Sequence, residues 1–166
     1  MYQVHKWMLL TLFACLTSST HALPQDSKEK VFIVADSGIY NFKTGLNTFE
    51  GHVIVNQGAT HITADRLTSQ SNNSHRIRET IAYGLQQPAH YWTLPKAGDP
   101  EIHANAKIIK FYPIESNVTL EQTVVITQGE NSFQGELIHY NMNDQVITVP
   151  ESQNGRAVVV YDPDKK

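Results

Sequence analysis

A seven-residue segment occurs twice in this chain of 166 residues, as HVIVNQG at 52–58 and as TVVITQG at 123–129. The two copies share their alternation of β-branched residues and the Gln-Gly that ends them. A catalytic site is usually built once, whereas a repeated segment usually reflects repeated architecture. The fold is therefore expected to use the same strand unit more than once, and functional surfaces should be sought where repetition creates them.

The repetition extends beyond this segment and predicts a series of structural units. The units begin near residues 35, 64, 106 and 135, with Ala-Asp, Ala-Asp, Ala-Lys and Gly-Glu. Each unit is about two strands long and is expected to stack on its neighbours, so that one continuous core is buried. Between the second and third units, the prolines of residues 88–100 predict an extended excursion with turns.

Strand-forming residues dominate the chain after its N-terminal segment. Short β-branched runs, separated by turn clusters, recur about every 8–12 residues, which favours an all-β sandwich, barrel or solenoid. No amphipathic helix is recognisable in this part of the sequence. The predicted strands cover residues 31–35, 52–56, 61–65, 123–127, 145–149 and 157–161.

Alternation within these strands predicts which side chains are buried, because successive strand residues point to opposite sides of a sheet. Val53 and Val55 share one face, as do their counterparts Val124 and Ile126, whereas Ile54 points outward. We expect the inward residues to form the core and some of them also to line a cavity. The predicted interior residues are Val31, Ile33, Val53, Val55, Ile62, Leu67, Tyr91, Phe111, Val124, Ile126, Phe133, Ile138 and Tyr140.

Residues 1–22 have the features of a secretory signal peptide. Lys6 precedes the apolar run WMLLTLFACL, and small residues before the predicted cleavage point after Ala22 fit a signal-peptidase site. The run is too short to anchor the chain in a bilayer. An alternative is a lipoprotein signal, in which Cys15 would become the lipidated N-terminus. Residues 23–166 are expected to form a single domain, without the only cysteine of the chain.

The remaining residues do not suggest catalysis, a cofactor or a nucleic-acid partner. Removal of Lys6 with the signal leaves 12 of the 13 basic residues against 16 acidic ones, so no basic nucleic-acid-binding surface is expected. The histidines lack metal-ligand spacing, and no nucleophile elbow or phosphate-binding loop is present. Asp36, Asp65 and Glu136 recur at equivalent repeat positions, which indicates turn roles rather than a pair of catalytic acids. We therefore expect no metal, no cofactor and no enzymatic activity.

An ordered series of short motifs resembles a known protein family. The motifs are Ala35-Asp36, Tyr40-Asn41, Thr44-Gly45, the run FEGHVIVNQG at 49–58, and Ala64-Asp65. Residues 106–149 repeat the series with weaker matches, and Lys107, Gln122 and Glu136 depart from it. Over nearly all of residues 31–161, the series resembles the OstA-like repeats of LptA, the periplasmic lipopolysaccharide-transport protein A family.

The resemblance implies a twisted, open β-jellyroll built from stacked antiparallel strand repeats. It also implies a periplasmic carrier that binds the lipid A part of lipopolysaccharide in an apolar groove and helps pass it from the inner to the outer membrane. The groove positions of the family correspond here to Val31, Ile33, Tyr91 and Phe111. The three departures lie at turns or edges of the pattern, where sequence drift is expected.

The partners that the resemblance implies are lipopolysaccharide, an inner-membrane LptC-like protein and an outer-membrane LptD-like protein, both with the OstA fold. Because an open sheet leaves edge strands that pair with other chains, the strands at 31–35 and 157–161 are expected to dock partners or further copies head to tail. Two other functions stay open: an exported β-solenoid enzyme acting on polysaccharide, and a purely structural β-protein.

Overall fold

The computed structural model describes residues 29–151 and 155–163. The predicted signal peptide and Cys15 lie outside these residues. The described residues contain a twelve-stranded antiparallel sheet and no helix. The strands are β1 (Phe32–Val34), β2 (Ser37–Tyr40), β3 (Leu46–Gln57), β4 (Thr60–Ser71), β5 (Ile77–Tyr83), β6 (Ala89–Thr93), β7 (Ile102–Ala106), β8 (Ile108–Tyr112), β9 (Asn117–Gln128), β10 (Asn131–Asn141), β11 (Val146–Thr148) and β12 (Val158–Val160).

The four longest strands bend, so that the sheet folds into two layers that enclose a shared core. Residues 46–50 of β3 pair with 66–70 of β4 in the first layer, and residues 53–57 pair with 60–64 in the second. β9 and β10 repeat this arrangement. The first layer has the order β2-β3-β4-β5-β8-β9-β10-β11, and the second has the order β1-β3-β4-β6-β7-β9-β10-β12.

The bends in β3 and β9 contain residues with a left-handed backbone. The register between β3 and β4 shifts at Gly51 and His52, whose φ angles are 77° and 46°. In β9, Gln122 and Thr123 have φ angles of 66° and 56°. Extra residues of this kind bend a strand and increase its local twist, which carries each long strand from one layer to the other. Gln122 adopts the conformation of Gly51 at a cost of about 1–2 kcal/mol for a non-glycine residue.

The predicted unit starts lie at these corners between the layers. Asp36 lies between β1 and β2, and Lys107 lies between β7 and β8. Asp65 and Glu136 lie where the pairing of β4 with β3 and of β10 with β9 skips a residue. The backbone N–H of Asp36 donates to the carbonyl oxygen of Gly51 at 2.9 Å, which joins one corner to the bulge beside it. The repeat that is visible in the sequence therefore marks the corners of the fold.

The links between the two layers within the described residues lie on this corner side. The turns at 41–45, 72–76, 113–116 and 142–145 join strands of the first layer on the opposite side. The turns at 58–59, 94–101 and 129–130 join strands of the second layer on that same opposite side. We call this the open side, because no segment of residues 29–151 and 155–163 crosses there from one layer to the other. The all-β, open jellyroll that the resemblance implied is thus the fold of the chain.

The doubled segment forms the second-layer halves of β3 and β9. Each copy ends at a glycine, Gly58 or Gly129, with a φ angle of 58°. Each glycine is the first residue of a two-residue turn into the next long strand. Glycine at this position is typical of the type II′ hairpin turn, whose twist suits the flanking strands. The shared Gln-Gly therefore corresponds to two equivalent hairpins.

The expectation for residues 88–100 is wrong in part. Ala89–Thr93 form β6, which pairs with both β4 and β7, so the second layer continues through this segment. Pro88, Pro95 and Pro100 flank β6 and β7 instead of interrupting them. Proline lacks the N–H that a central strand needs, so a proline ends a central strand. A strand can still form between two prolines, as β6 does. The excursion is limited to the loop at 94–101.

Candidate ligand-binding interior

The thirteen predicted interior residues come together in one apolar cluster between the two layers. Val31, Ile33 and Phe133 are partly buried and pack against this cluster, whereas Ile54 points outward and is 41% exposed. The predicted alternation between inward and outward residues is therefore confirmed. The other ten are buried, with at most 8% of their surface exposed: Val53, Val55, Ile62, Leu67, Tyr91, Phe111, Val124, Ile126, Ile138 and Tyr140.

A cavity of about 340 Å³ lies at the open side, between the layers and next to β1. This volume is at the lower end of the range of small-molecule pockets, about 300–1,000 Å³. Its apolar lining residues are Val31, Ile33, Tyr40, Ile77, Pro113 and Ile114. Its polar lining residues are Glu29, Asn47, Gln57, Ser69, Ser71, His75 and Arg76. Of the thirteen predicted residues, Val31 and Ile33 line this cavity, while the others form the closed interior beyond it.

The buried polar side chains in the cavity lining have hydrogen-bond partners within the protein. Asn47 donates from Nδ2 to Ser69 Oγ at 3.2 Å, and its Oδ1 accepts the backbone N–H of Asn41 at 3.1 Å. Gln57 donates from Nε2 to the carbonyl oxygen of Glu29 at 3.2 Å. Asn47 and Gln57 are not among the predicted interior residues, although Gln57 continues the inward alternation of the valines before it. Because these groups are satisfied, an apolar chain can enter beside them without leaving a buried donor unpaired.

Each end of the stacked sheet exposes short edge strands with apolar side chains. β1 and β2 form one end, and β11 and β12 form the other. Residues that flank a two-residue hairpin turn form a hydrogen-bonded pair, and hydrogen-bonding direction then alternates along each strand. When this alternation is followed from the two hairpins to the edge strands, the N–H groups of Ile33 in β1 and Val159 in β12 point away from the sheet. The exposed apolar residues are Phe32, Val34, Ile39 and Tyr40 at one end, and Val146, Val158, Val159, Val160 and Tyr161 at the other.

Comparison with known families decides where this fold belongs. A family model described as "LptA/(LptD N-terminal domain) LPS transport protein" matches residues 32–146, which is more than half of the chain. This chain belongs to the LptA/LptD N-terminal domain family. The matched region runs from the start of β1 to the start of β11, so it includes the corners and most of the cavity lining, whereas Glu29 and Val31 precede it.

Several named relatives of this LptA/LptD-family chain align over most of their length. It is 28% identical to lipopolysaccharide export system protein LptH of Pseudomonas aeruginosa over 167 positions, which cover 96% of this chain and 94% of LptH. It is 23% identical to the export system protein LptA of Escherichia coli K12, over 86% of this chain and 76% of that protein. With LptA of Haemophilus influenzae the identity is 22%, over 96% and 92%. These relatives are lipopolysaccharide export system proteins, which agrees with the prediction of a transport protein and not an enzyme.

A solved structure shows the same fold. The crystal structure of Pseudomonas aeruginosa LptH, described as the LptA-homologous periplasmic component of a lipopolysaccharide transport device, matches with a TM-score of 0.77. The match covers 84% of this chain and 100% of that one, at 24% identity. In the part of this family member that the structure describes, no helix is long and apolar enough to cross a membrane.

In this family member, His52 and the recurrent carboxylates of Asp36 and Asp65 make hydrogen bonds within the fold. His52 Nδ1 lies 2.7 Å from Asp36 Oδ2, and this hydrogen bond raises the pKa of His52. Asp65 Oδ2 accepts the backbone N–H groups of Gln86 at 2.7 Å and Leu85 at 2.6 Å, which lower the pKa of Asp65. The contacts of Asp65 confirm its predicted turn role, whereas the side chain of Asp36 bonds to His52 in the bulge of β3. Among residues 29–151 and 155–163, no three His, Cys, Asp or Glu side chains are grouped to hold a metal ion.

Tyr140 is the interior residue whose ionisation is most perturbed by burial. Its side chain is 3% exposed, and burial raises the pKa of its phenol to about 12. Since an unfolded tyrosine has a pKa near 10, the folded state holds this proton more tightly than the unfolded state. This contribution to the free energy of unfolding is present in full below about pH 10. As the pH rises from 10 toward 12 it is lost, which lowers the free energy of unfolding by about 3 kcal/mol in total.

We therefore expect Tyr140→Phe to flatten the fall in the free energy of unfolding between about pH 10 and 12. Urea unfolding at a series of alkaline pH values measures this fall. Tyr161→Phe is the matched control, because Tyr161 is exposed and its replacement should leave the pH dependence unchanged. An equal fall in the wild type and in Tyr140→Phe would contradict the burial of this phenol.

Proposed function

We propose that this chain is a periplasmic carrier that binds the lipid A part of lipopolysaccharide in its apolar interior. In a bridge with other OstA-fold proteins, it passes the lipid from the inner to the outer membrane. The observation that carries the proposal is the continuous apolar interior between two layers that are linked on the corner side and separate on the open side. The relatives LptH and LptA, which are lipopolysaccharide export system proteins, support it.

The physical problem of such transport is the cost of exposing acyl chains to water. Each buried methylene contributes about 0.8 kcal/mol, so exposing a chain of about twelve carbons costs roughly 10 kcal/mol. A lipid that crosses an aqueous compartment therefore needs an apolar surface along its path. The inward residues of both layers offer this surface, and their polar neighbours at the cavity are already hydrogen-bonded.

The open side offers a route for acyl chains into the closed interior. The contacts across the core are apolar, and the described cross-layer links lie at the corners. Parting the layers at the open side replaces contacts between side chains by contacts with acyl chains, with little change in the apolar area exposed to water. The cavity beside Val31 and Ile33 is the natural entry point. The sugar head group stays outside at the open side, because burying its polar groups in the apolar interior would remove their hydration.

The partners follow from the exposed edge strands. We propose that β1 and β12 pair with OstA-fold partners at the two membranes, LptC-like at the inner and LptD-like at the outer, and with further copies head to tail. Pairing of this kind, by strand addition, extends the two layers and keeps the apolar interior continuous from one molecule to the next. Export of the chain to the periplasm is proposed on the basis of the signal peptide at residues 1–22.

Photo-crosslinking to lipopolysaccharide tests the proposed groove directly. A photo-reactive residue is placed in turn at Ile33, Val55, Tyr91 and Phe111, with the outward Ile54 as the control. We expect crosslinks at the inward positions and none at Ile54, because the side chain of Ile54 lies on the opposite face of the strand from those of its two neighbours. Absence of crosslinks at the inward positions of the folded protein would contradict the carrier function and favour a purely structural role. The polysaccharide-acting enzyme is not supported by any of the relatives.

A further inference from the structure

We propose that Arg76, at the mouth of the cavity, binds a phosphate group on the sugar of the lipid whose acyl chains enter that cavity. This inference rests on the carrier function proposed above and adds a charged anchor beside the apolar wall of the cavity. The cavity has an apolar wall formed by β1, β5 and the turn at 113–116. Arg76 and His75 stand at its edge, in the turn between β4 and β5 on the open side.

The turn that carries Arg76 is held by its own hydrogen bonds. The backbone N–H groups of Ser74 and Arg76 both donate to Asn72 Oδ1 at 3.0 Å. The N–H of Asn72 donates to the carbonyl oxygen of Arg76, and that of His75 donates to the carbonyl oxygen of Asn72, each at 2.9 Å. The turn therefore presents Arg76 at a fixed position on the lip of the first layer, so a ligand does not have to order this backbone first.

The charge of Arg76 is available to a ligand. The guanidinium of Arg76 has no ion pair within residues 29–151 and 155–163, where the arginine that does form one is Arg66, with Glu50. Glu29 also lines the cavity, from the chain that enters β1 beside the second layer. An anionic group is therefore expected to bind on the first-layer lip, next to Arg76 and away from Glu29.

A phosphate group on the lipid is a suitable partner for the guanidinium of Arg76 at the mouth of the cavity. Arginine presents a planar fork of N–H donors that matches the oxygens of a phosphate group. A lipid whose acyl chains pass along the apolar wall of the cavity into the interior holds the sugar that carries them at the mouth, because the sugar cannot enter the apolar interior without losing its hydration. A phosphate on that sugar then lies on the open side within reach of Arg76. One lipid molecule can thus place its acyl chains against the apolar wall and its phosphate group against Arg76.

The chain contains a matched control for Arg76. Arg78 lies two residues further along, where the pairing of β4 with β5 skips a residue. It lines a separate depression with residues 70–74 and does not line the cavity. Arg76 and Arg78 are both exposed, so replacing either one by glutamine removes one positive charge without opening a core. A comparison of Arg76→Gln with Arg78→Gln separates a local contact from a change in net charge.

The test compares the affinity of each purified protein for bis-phosphorylated lipid A and for the same lipid after removal of its phosphates. Arg76→Gln is expected to bind the phosphorylated lipid about five- to tenfold more weakly than the wild type, as a partly exposed charge-assisted contact predicts. It should bind the dephosphorylated lipid as the wild type does. Arg78→Gln should leave both affinities unchanged.

The alternative outcomes overturn the proposal in distinguishable ways. If Arg76→Gln binds both lipids like the wild type, or weakens both equally, the phosphate contact is wrong while the carrier function stands. If the wild type binds neither lipid, the carrier function fails and this inference fails with it. If an excess of inorganic phosphate displaces the phosphorylated lipid, the site recognises a free anion and not a lipid head group.

Discussion

Ile138→Ala is expected to lower the free energy of unfolding by about 2–5 kcal/mol, the range observed when a fully buried isoleucine or leucine is truncated. Ile138 lies in β10, is 0% exposed, and pairs with Leu120 of β9, which is also buried. Truncation removes three carbon atoms from an interior that both layers share. Because the corners fix the spacing of the layers, we expect the space left behind to collapse only in part, so the loss should exceed the transfer term alone.

Ile54→Ala is the matched control for this change. Ile54 lies in the equivalent pair of long strands, but its side chain points outward and is 41% exposed. Its truncation should change the free energy of unfolding by no more than about 0.5 kcal/mol. Urea unfolding followed by fluorescence measures both variants. Similar losses at the two positions would show that the interior between the layers is not the stabilising core of this protein.

Much of this core was predictable because its signal is local and repeated. Alternation in a strand depends on neighbouring residues alone, so the pattern of Val53, Ile54 and Val55 gave the inward face without knowledge of any pairing. Repetition then gave the same assignment independently at Val124 and Ile126. The Gln-Gly that ends each copy marked the hairpins for a similar reason, since a left-handed backbone at a fixed place in a tight turn favours glycine.

Two of the strands that the predicted list omitted, β6 and β7, show less of this local signal. β7 (IHANA) is rich in alanine and asparagine, which are poor strand formers, whereas β6 (AHYWT) contains strand formers but lies in a short segment between Pro88 and Pro95. Both strands are central in the second layer and are held by pairing on each side. Such pairing depends on residues far away in sequence, so tertiary contacts override the weak local preference.

The cavity could not be predicted either, for a related reason. Its lining comes from several turns and strands that meet at the open side, and the bends in β3 and β9 determine which of them meet. The glycine at position 51 indicates a bend in the sequence, but Gln122 adopts the same left-handed backbone although it is not a glycine. The place where a strand changes layer, and hence the position of Arg76 at the mouth, therefore became visible only in the folded chain.

The second large effect concerns assembly through the edge strands. Ile33→Pro and Val159→Pro each remove one N–H that points away from the sheet, and proline also obstructs the approach of a new strand. The pairing of β1 with β3 and of β12 with β10 uses the neighbouring residues, so the monomer should stay folded. Each proline leaves a carbonyl of the added strand without its donor, which costs about 1–3 kcal/mol, so head-to-tail association should weaken by about five- to a hundredfold.

Sedimentation over a range of concentrations measures this association, and circular dichroism with urea unfolding checks the fold. Ile33→Ala and Val159→Ala are the controls, because they shorten the same side chains but keep the N–H, and they should still assemble. Each proline variant retains one intact end, so a mixture of the two should form dimers that grow no further. Head-to-tail contact requires this pattern, because the intact β12 end of Ile33→Pro meets the intact β1 end of Val159→Pro. Dimers formed by Ile33→Pro alone would instead indicate contact between two like ends, and normal assembly of both variants would exclude these strands as the docking edges.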